Sequence, residues 1–324
     1  MLLIAVDEAG YGPKLGPLVV AATAWQVPDA TLDHAPANSD DAISNCFDPL
    51  RTPLRCGDLK VIVDDSKKLF KSRAHDPLAV LNAVVSCCKH WCGDGELDFK
   101  PWLKKIAGGD EPSLRQAEWL RDLRGNRFVA AADAQEVLQH WGQAGAVLQH
   151  VALRILTARQ FNHMIARGMN KSDLLSDTAL RLVGDVLDRD PTETNVHVYC
   201  DRHGGRQFYG AVLQQIWPDW RLRVVSESKR ESRYELGSGE RTMQIRFTVK
   251  GDSFPPVAMS SIHAKYLREL MMNALNAFFA KHAAAGQTIR PTAGYPVDAD
   301  RFLLETAEMI ERLGIDPSHL IRCR

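Results

Sequence analysis

The sequence predicts an α/β fold in which a mixed sheet is flanked by helices. Short apolar runs at residues 2–6, 18–25 and 196–200 have the length of buried strands and are bounded by turn residues or acids. Longer segments between and after them repeat apolar residues every three or four positions, which is typical of helices. With 324 residues and 45% hydrophobic content, the chain can bury a sizeable core.

The overall charge gives no sign of a polyanionic partner. Lysines and arginines number 40, as do aspartates and glutamates, so a nucleic-acid surface would have to come from local clustering. The seven cysteines show no paired CxxC spacing, which favours buried reduced thiols over a zinc site. The first apolar run has no basic flank, and no run reaches the roughly 18 residues of a membrane helix. We therefore expect a soluble cytoplasmic protein without a membrane partner, in an oligomeric state that the sequence leaves open.

The first part of the chain predicts two strands and a surface excursion. Residues 2–6 and 18–25 read as strands that are joined by the glycine-rich turn at residues 9–17. The segment from about residue 28 to 56 is rich in Asp, Asn, Ala and Pro without a clear period, so it is interpreted as an excursion on the surface.

The middle of the chain predicts a mostly helical insertion. Residues 59–63 form a candidate strand, and the aspartates at its end can cap the helix that follows. From residue 78 to 165 the helical period dominates. We take the chain as one domain, residues 1–324, with the helical insertion at about 75–155.

The last part predicts strands followed by helices. A helix at residues 178–187 precedes the strand that ends at Asp201, and residues 221–226 and 243–249 read as a hairpin with its turn at 237–239. A long helix from residue 257 to about 282 and another over 300–313 make a carboxy-terminal helical region at about 257–324.

Three acids follow predicted strands and carry the main chemical signal. Asp7 and Glu8 end the first strand, and Asp201 ends a central one. Carboxylates that converge at the ends of neighbouring strands form an oxygen cage suited to Mg²⁺ or Mn²⁺. Two such ions can activate a water and stabilise the leaving oxygen of a phosphodiester.

The text around these acids resembles the type 2 ribonucleases H, that is, ribonuclease HII and ribonuclease HIII. The resembling segments, which occur in the family's order, are residues 7–13 with 16–20, residues 65–69 with Arg73, residues 198–201 with Tyr209, Leu213 and the Trp-Pro at 217–218, residues 259–265, and residues 294–296 with Asp298. Residues 160–162 and 170–171 look more like ribonuclease HIII. The region from about 75 to 155 matches no part of the family.

The resemblance implies a ribonuclease H-like fold with a mixed five-stranded sheet. It also implies endonucleolytic hydrolysis of the RNA strand of RNA/DNA hybrids with two divalent ions, Mg²⁺ or Mn²⁺, and hence a nucleic-acid partner. Asp7, Glu8 and Asp201 would be metal ligands.

Two residues compete for the fourth acid of the family. Glu231 matches the family's local sequence Lys-Ala-Asp-x-x-Tyr, with Glu in place of Asp. Asp252 instead matches the family's spacing between this acid and the helix that begins near residue 257. The predicted hairpin lies between them and creates the ambiguity. Asp252 is favoured because it keeps an aspartate next to the helix.

The glycine turn and a tyrosine are the expected elements that read the ribose. Gly10 and Gly12 allow close backbone approach to a ligand. In the resembled family this turn is Gly-Arg-Gly and works with a tyrosine on the 2′-hydroxyl. Tyr11 replaces the arginine here, which puts recognition of a single embedded ribonucleotide in doubt, and Tyr295 keeps the tyrosine.

Lysines and serines near the acids are candidate phosphate contacts. Lys67, Lys68 and Lys265 could contact phosphates, and Ser260 and Ser261 could add hydroxyl donors. The basic hairpin over residues 221–246 could also track a phosphate backbone. Two other functions remain open at this point: a nuclease of the same fold that acts on DNA or structured nucleic acid, and a hybrid-binding protein without turnover.

Overall fold

A mixed sheet of seven strands runs through the molecule in the computed structural model, which describes residues 1–28, 43–72 and 74–323. Its strand order is β5-β2-β1-β6-β9-β8-β7, and a two-stranded hairpin of β3 and β4 stands beside it. The strands are β1 (Leu2–Ala9), β2 (Leu18–Gln26), β3 (Leu54–Cys56), β4 (Leu59–Val61), β5 (Val147–Leu156), β6 (Asn195–Asp201), β7 (Arg221–Glu227), β8 (Glu231–Ser238) and β9 (Arg241–Thr248).

Eleven α-helices surround this sheet within the described residues. They are α1 (Ser66–Leu69), α2 (Ala79–Trp91), α3 (Phe99–Ile106), α4 (Glu111–Gln116), α5 (Ala131–Trp141), α6 (Ala158–Ala166), α7 (Lys171–Leu187), α8 (Gly210–Ile216), α9 (Pro255–Lys281), α10 (Pro296–Arg312) and α11 (Pro317–Leu320). The predicted α/β class, a mixed sheet with flanking helices, is confirmed.

The direction of the strands brings the ends of β1 and β6 to one edge. β2 runs antiparallel to β1, whereas β6 is parallel to β1 and β9 is parallel to β6. Strands β1, β6 and β9 therefore end side by side, and the residues that follow them share one region of the surface.

Each face of the sheet is covered by a separate hydrophobic core. Leu3 and Ala5 of β1 pack with α9 and with helices α2 to α5, while Ile4 and Val6 pack on the other face with α7. This alternation is the period of two of a strand that is buried on both faces. A third core joins the carboxy-terminal half of α9 to α10.

Three expectations about the strands were wrong in detail. The sheet has seven strands and not five, because β8 and β7 extend it beyond β9. The hairpin partner of β9 is β8, with the turn at Gly239 and Glu240, and β7 pairs with β8 instead. The helical period assigned to residues 78–165 fails over Val147–Leu156, which form β5 beside β2.

The capping prediction for α1 is confirmed. The Asp65 carboxylate accepts a hydrogen bond from the backbone N–H of Lys67 at 2.9 Å, which satisfies a free donor at the start of the helix. Arg73 and most of the excursion, residues 29–42, lie outside the described residues.

Candidate active site

Asp7 and Asp201 stand side by side on adjacent parallel strands. The last paired residues of β1 and β6 are Val6 and Cys200, and each acid follows directly. Val6 and Cys200 both pack in the core on the α7 face, so strand alternation directs both acids to the α9 face.

A tight turn after β9 brings Asp252 to the same place. Lys250 adopts a left-handed conformation with φ of 59°, and the backbone N–H of Gly251 donates to Asp201 Oδ1 at 2.7 Å. A Cβ on Gly251 would lie 3.0 Å from the Asp201 Cα, so the close approach of this turn to β6 favours glycine. Asp252 is the next residue, held beside Asp201.

The electrostatics show that the acids form one interacting group. Burial raises the pKa of Asp7 to about 8, with further contributions from the charges of Asp201 and Asp252, against hydrogen bonds from Ser261 and the Glu8 backbone. Burial also raises the pKa of Asp201, and the charge of Asp252 adds to that shift. Carboxylates that repel one another in a buried site are costly unless a cation or proton compensates them.

Glu8 belongs to this group although strand alternation points it to the opposite face. Its pKa is raised well above the usual value, first by burial and then by the charges of Asp7 and Asp201. The positive charge of Lys67 opposes this shift, and it also lowers the pKa of Asp201. Lys67, an exposed residue at the start of α1, is thus the lysine of the second motif that faces the acids.

Glu231 has different partners. Its carboxylate accepts hydrogen bonds from Arg233 and, at 3.0 Å, from the Thr248 hydroxyl. Asp252, and not Glu231, is among the charges that raise the pKa of Asp7 and Asp201. The structure therefore places Asp252 with the other acids and Glu231 in an ion pair along β8.

Two consecutive serines of α9 have separate tasks. Ser261 hydrogen bonds to the Asp7 carboxylate, and its hydroxyl lies 3.0 Å from that of Ser66 at the start of α1. Ser260 is fully buried, donates to the Ala5 carbonyl at 2.8 Å and lies 3.0 Å from the Thr23 hydroxyl. Ser260 therefore holds α9 against the sheet. Because its hydroxyl is buried and used in these contacts, it does not fit the phosphate contact that the sequence suggested for Ser260.

The other two candidate lysines are engaged within the protein. Lys68 pairs with Asp64 at 3.2 Å on the surface. Lys265 donates to Glu269 at 2.7 Å and lies 4.6 Å from the centre of the Phe70 ring. If either lysine also contacted a phosphate, its ammonium group would have to bind the phosphate and the protein carboxylate together.

The glycine turn packs against the segment that carries Tyr295. Gly10 has a φ of +91°, and a Cβ there would lie 2.4 Å from the Pro17 carbonyl oxygen, so an L side chain would be strained and crowded. The carbonyl of Gly294 accepts hydrogen bonds from the backbone N–H groups of Lys14 and Leu15 at 2.7 and 3.1 Å. This contact brings Tyr295, about half exposed, next to the turn.

Tyr11 turns away from Tyr295 toward the loop that follows β6. Its hydroxyl would lie 2.9 Å from a Cβ on Gly204, and burial together with the charge of Glu8 raises its pKa. Gly12, by contrast, is next to Tyr295: a Cβ there would lie 3.9 Å from the Tyr295 ring. The backbone of the turn at Gly12 therefore faces Tyr295, whereas the side chain of Tyr11 lies on the other side, against Gly204.

Arg268 of α9 packs against the glycine turn at Gly10. The sequence did not predict this contact. The guanidinium of Arg268 donates to Glu269 at 2.7 Å and to the Ala293 carbonyl at 2.7 Å. Its Cδ and Nε would each lie 2.9 Å from a Cβ on Gly10. Arg268 follows Lys265 by one helical turn, which places both on one side of α9.

The donor set is the kind that a hard divalent cation prefers, since all four acids offer carboxylate oxygens. In the described ranges no three His, Cys, Asp or Glu side chains are arranged to hold a metal ion as they stand. Asp7 Oδ1 and Asp201 Oδ1 each accept a backbone N–H at 2.7 Å, and an ionised carboxylate retains further acceptor capacity. Mutual repulsion and oxygen chemistry fit a cation, and its binding would require these side chains to turn toward it.

No protein-family model and no curated protein matches the sequence. Solved structures that are similar include RNase HII from Archaeoglobus fulgidus in a complex with PCNA, at 15% identity over 100% of this chain and 95% of that chain, with a TM-score of 0.41. Another is the ribonuclease H2 from Pyrococcus horikoshii OT3, at 13% identity over 99% and 92%, with a TM-score of 0.41.

A third similar structure is Bst-RNase HIII in complex with Mn²⁺, at 16% identity over 99% of this chain and 66% of that chain, with a TM-score of 0.43. These structures are type 2 ribonucleases H, the family that the sequence motifs resemble. Because similarity at this level carries no argument about chemistry, the proposed function rests on the site itself. Among the described helices, none is long and apolar enough to cross a membrane.

Proposed function

We propose that this protein is a metal-dependent endonuclease that hydrolyses the RNA strand of RNA/DNA hybrids. The observation that carries the proposal is the gathering of Asp7 and Glu8 of β1, Asp201 of β6 and Asp252 of the turn after β9 into one group of mutually repelling acids. Such a group is costly to a fold unless it serves a cation.

The four acids would hold one or two Mg²⁺ or Mn²⁺ ions. When bound, such ions supply an activated water and charge stabilisation at the leaving oxygen of a phosphodiester. The chain's own contribution is to place the carboxylates and the strand that is cut.

Neighbouring groups orient two of the acids and place a cation beside them. Ser261, backed by Ser66, holds the Asp7 carboxylate, and the Gly251 backbone N–H holds that of Asp201. Lys67 presents an exposed cation to the acids, a position suited to a substrate phosphate.

The glycine turn and Tyr295 are the proposed reader of the ribose. Gly12 and Tyr295 adjoin, so backbone groups and a tyrosine ring are offered together to one nucleotide. Tyr11 packs toward Gly204 and leaves no arginine in the turn. We therefore expect continuous hybrids to be cut better than a DNA duplex with one embedded ribonucleotide.

The test is cleavage of one labelled sequence presented as an RNA/DNA hybrid, as DNA with one ribonucleotide and as plain DNA, with Mg²⁺ or Mn²⁺. Cutting of the hybrid with a 3′-hydroxyl product supports the proposal. Equal cutting of plain DNA would instead assign a DNA nuclease. Hybrid binding without cutting, and without metal binding at millimolar Mg²⁺, would assign a non-catalytic binding protein.

A further inference from the structure

The insertion carries a second basic surface away from the acids. Two neighbouring cavities of about 390 and 740 Å³ share Lys100 and Leu123 in their walls. Together they are lined by seven lysines and arginines and only three acids, in a chain whose formal net charge is zero. We call this surface the insertion groove.

Five cations of the insertion groove have no carboxylate partner within ion-pair distance in the described part of the chain. Of the three acids in the walls, Glu111 pairs with Arg115 at 2.7 Å, and the charges of Glu96 and Asp98 act on Lys89. The five uncompensated cations, all exposed, are Lys100, Lys104, Arg121, Arg124 and Arg127.

Three of these cations come from one segment without helix or strand. Arg121, Arg124 and Arg127 are exposed at intervals of three residues, while Leu123 is buried and Phe128 is half-buried between and beside them. The apolar residues anchor the segment to the helices around it, and its arginines line both cavities: Arg121 the smaller, Arg124 and Arg127 the larger.

The basic hairpin, which the sequence also suggested as a phosphate surface, differs in this respect. Arg223 pairs with Glu235, Arg233 pairs with Glu231, and Arg241 donates to the carbonyls of Leu187 and Asp190. Three exposed hairpin cations, Arg221, Lys229 and Arg230, have no carboxylate within ion-pair distance in the described residues, against five in the insertion groove.

The insertion groove lies on the same side of the sheet as the acids, and its residues reach two places along α9. Asn82 donates to the Arg127 carbonyl at 2.9 Å and accepts a hydrogen bond from the Tyr266 hydroxyl of α9 at 2.9 Å. Trp119, just before Arg121, contacts the Phe278 ring at 6.1 Å between centroids. Phe278 stands 17 positions after Ser261 in α9, which is about 25 Å at a rise of about 1.5 Å per residue. The walls of the insertion groove therefore adjoin α9 from Tyr266, five positions after Ser261, to Phe278.

We infer that the insertion groove binds the phosphodiester backbone of the same duplex that occupies the active site. This inference rests on the proposed function. A polyanion long enough to reach both places gains affinity from the second contact, since that contact is then intramolecular. Guanidinium groups without a carboxylate partner suit phosphates, and such contacts do not depend on the base sequence.

The test compares Arg124→Gln/Arg127→Gln with wild type on hybrids of about 10 and about 30 base pairs. Neither side chain donates a hydrogen bond within the described residues, so the fold should persist. The matched control is Arg167→Gln/Arg189→Gln, which removes two exposed guanidinium groups elsewhere. Fluorescence anisotropy at several salt concentrations gives Kd and its salt dependence, and cleavage of the short hybrid gives the activity separately.

We expect the groove variant to bind the long hybrid roughly 10-fold more weakly, with a salt slope reduced by about 2, one unit for each lost phosphate contact. Binding and cleavage of the short hybrid should match wild type, and the control should behave as wild type throughout. Equal binding of the long hybrid by wild type and groove variant would overturn the inference. Poly-glutamate serves as a second probe in the same binding assay. If the groove variant lost affinity for poly-glutamate but not for the long hybrid, the inference would also be overturned, and the groove would be assigned to an acidic protein. Failure of the wild type to cut any hybrid would reject the proposed function alone, because the binding readout needs no cleavage.

Discussion

The hydroxyl oxygens of Ser66 and Ser261 lie 3.0 Å apart in the interior, where they join the start of α1 to α9 directly beside Asp7. Both serines are buried. The Asp-Ser-Lys-Lys-Leu motif thus does more than present Lys67 to the acids. It also fixes the serine that holds the Asp7 carboxylate.

Replacing Ser261 with alanine should lower hybrid cleavage about 10-fold near neutral pH. The hydroxyl lowers the pKa of Asp7, so its loss raises that pKa and moves the rising limb of the pH–rate profile to higher pH. Ser260→Ala is the matched control: it should lower the free energy of unfolding by about 1–3 kcal/mol through lost buried hydrogen bonds, without moving the limb. An equal shift of the limb in both variants would show that the effect is only structural.

Asp252→Asn should reduce cleavage by more than about 100-fold, because it removes an acid that faces Asp7 and Asp201. Glu231→Gln should retain most of the activity, since Glu231 pairs with Arg233 and Thr248. Rates at saturating hybrid and Mg²⁺ measure both. The reverse ranking would make Glu231 the fourth acid.

The metal-free protein should lose stability as pH rises from about 4 to about 8. Asp7 ionises near its usual pKa of 3.8 in the unfolded chain but only near 8 in the folded protein, so the folded state binds the extra proton across this window. Asp7→Asn cannot ionise and should escape this loss, so its advantage in Tm over wild type should grow by a few degrees between pH 4 and pH 8 in EDTA. A difference in Tm that stays constant with pH would contradict the raised pKa.

Gly10→Ala should destabilise the protein by about 3 kcal/mol or more and weaken hybrid binding. The new Cβ would combine a strained left-handed backbone with a contact at 2.4 Å to the Pro17 carbonyl. Gly93→Ala is the control, because Gly93 also has positive φ but open space around it, and it should cost only about 1 kcal/mol. Urea unfolding gives both values, and equal losses would mean that crowding at Gly10 is unimportant.

The residues that could be located from sequence are those fixed by short-range rules. Asp7 and Asp201 each follow an apolar run. An acid at the end of a strand lies where the strand leaves the sheet, whatever the position of that strand in the strand order. The cap of α1 by Asp65 depends on two residues only. These features need no knowledge of distant contacts.

The features that sequence reasoning missed depend on long-range packing. From Val151 onward, β5 is largely buried on both faces beside β2, so the apolar residues there do not alternate and resemble a helix. The separate tasks of Ser260 and Ser261 follow from which side of α9 meets the sheet. The choice between Glu231 and Asp252 also needed the strand pairing. Glu231 pairs with Thr248 across β8 and β9, whereas the turn after β9 brings Asp252 next to Asp201.

Cleavage of a labelled RNA/DNA hybrid by wild type and Asp201→Asn, in Mg²⁺ and in EDTA, tests the central claim most directly. We expect the wild type to cut the RNA strand only with the metal, and Asp201→Asn to bind the hybrid but to cut it at least about 100-fold more slowly. Undiminished cutting by Asp201→Asn, or cutting in EDTA, would contradict a metal-dependent site built on these acids.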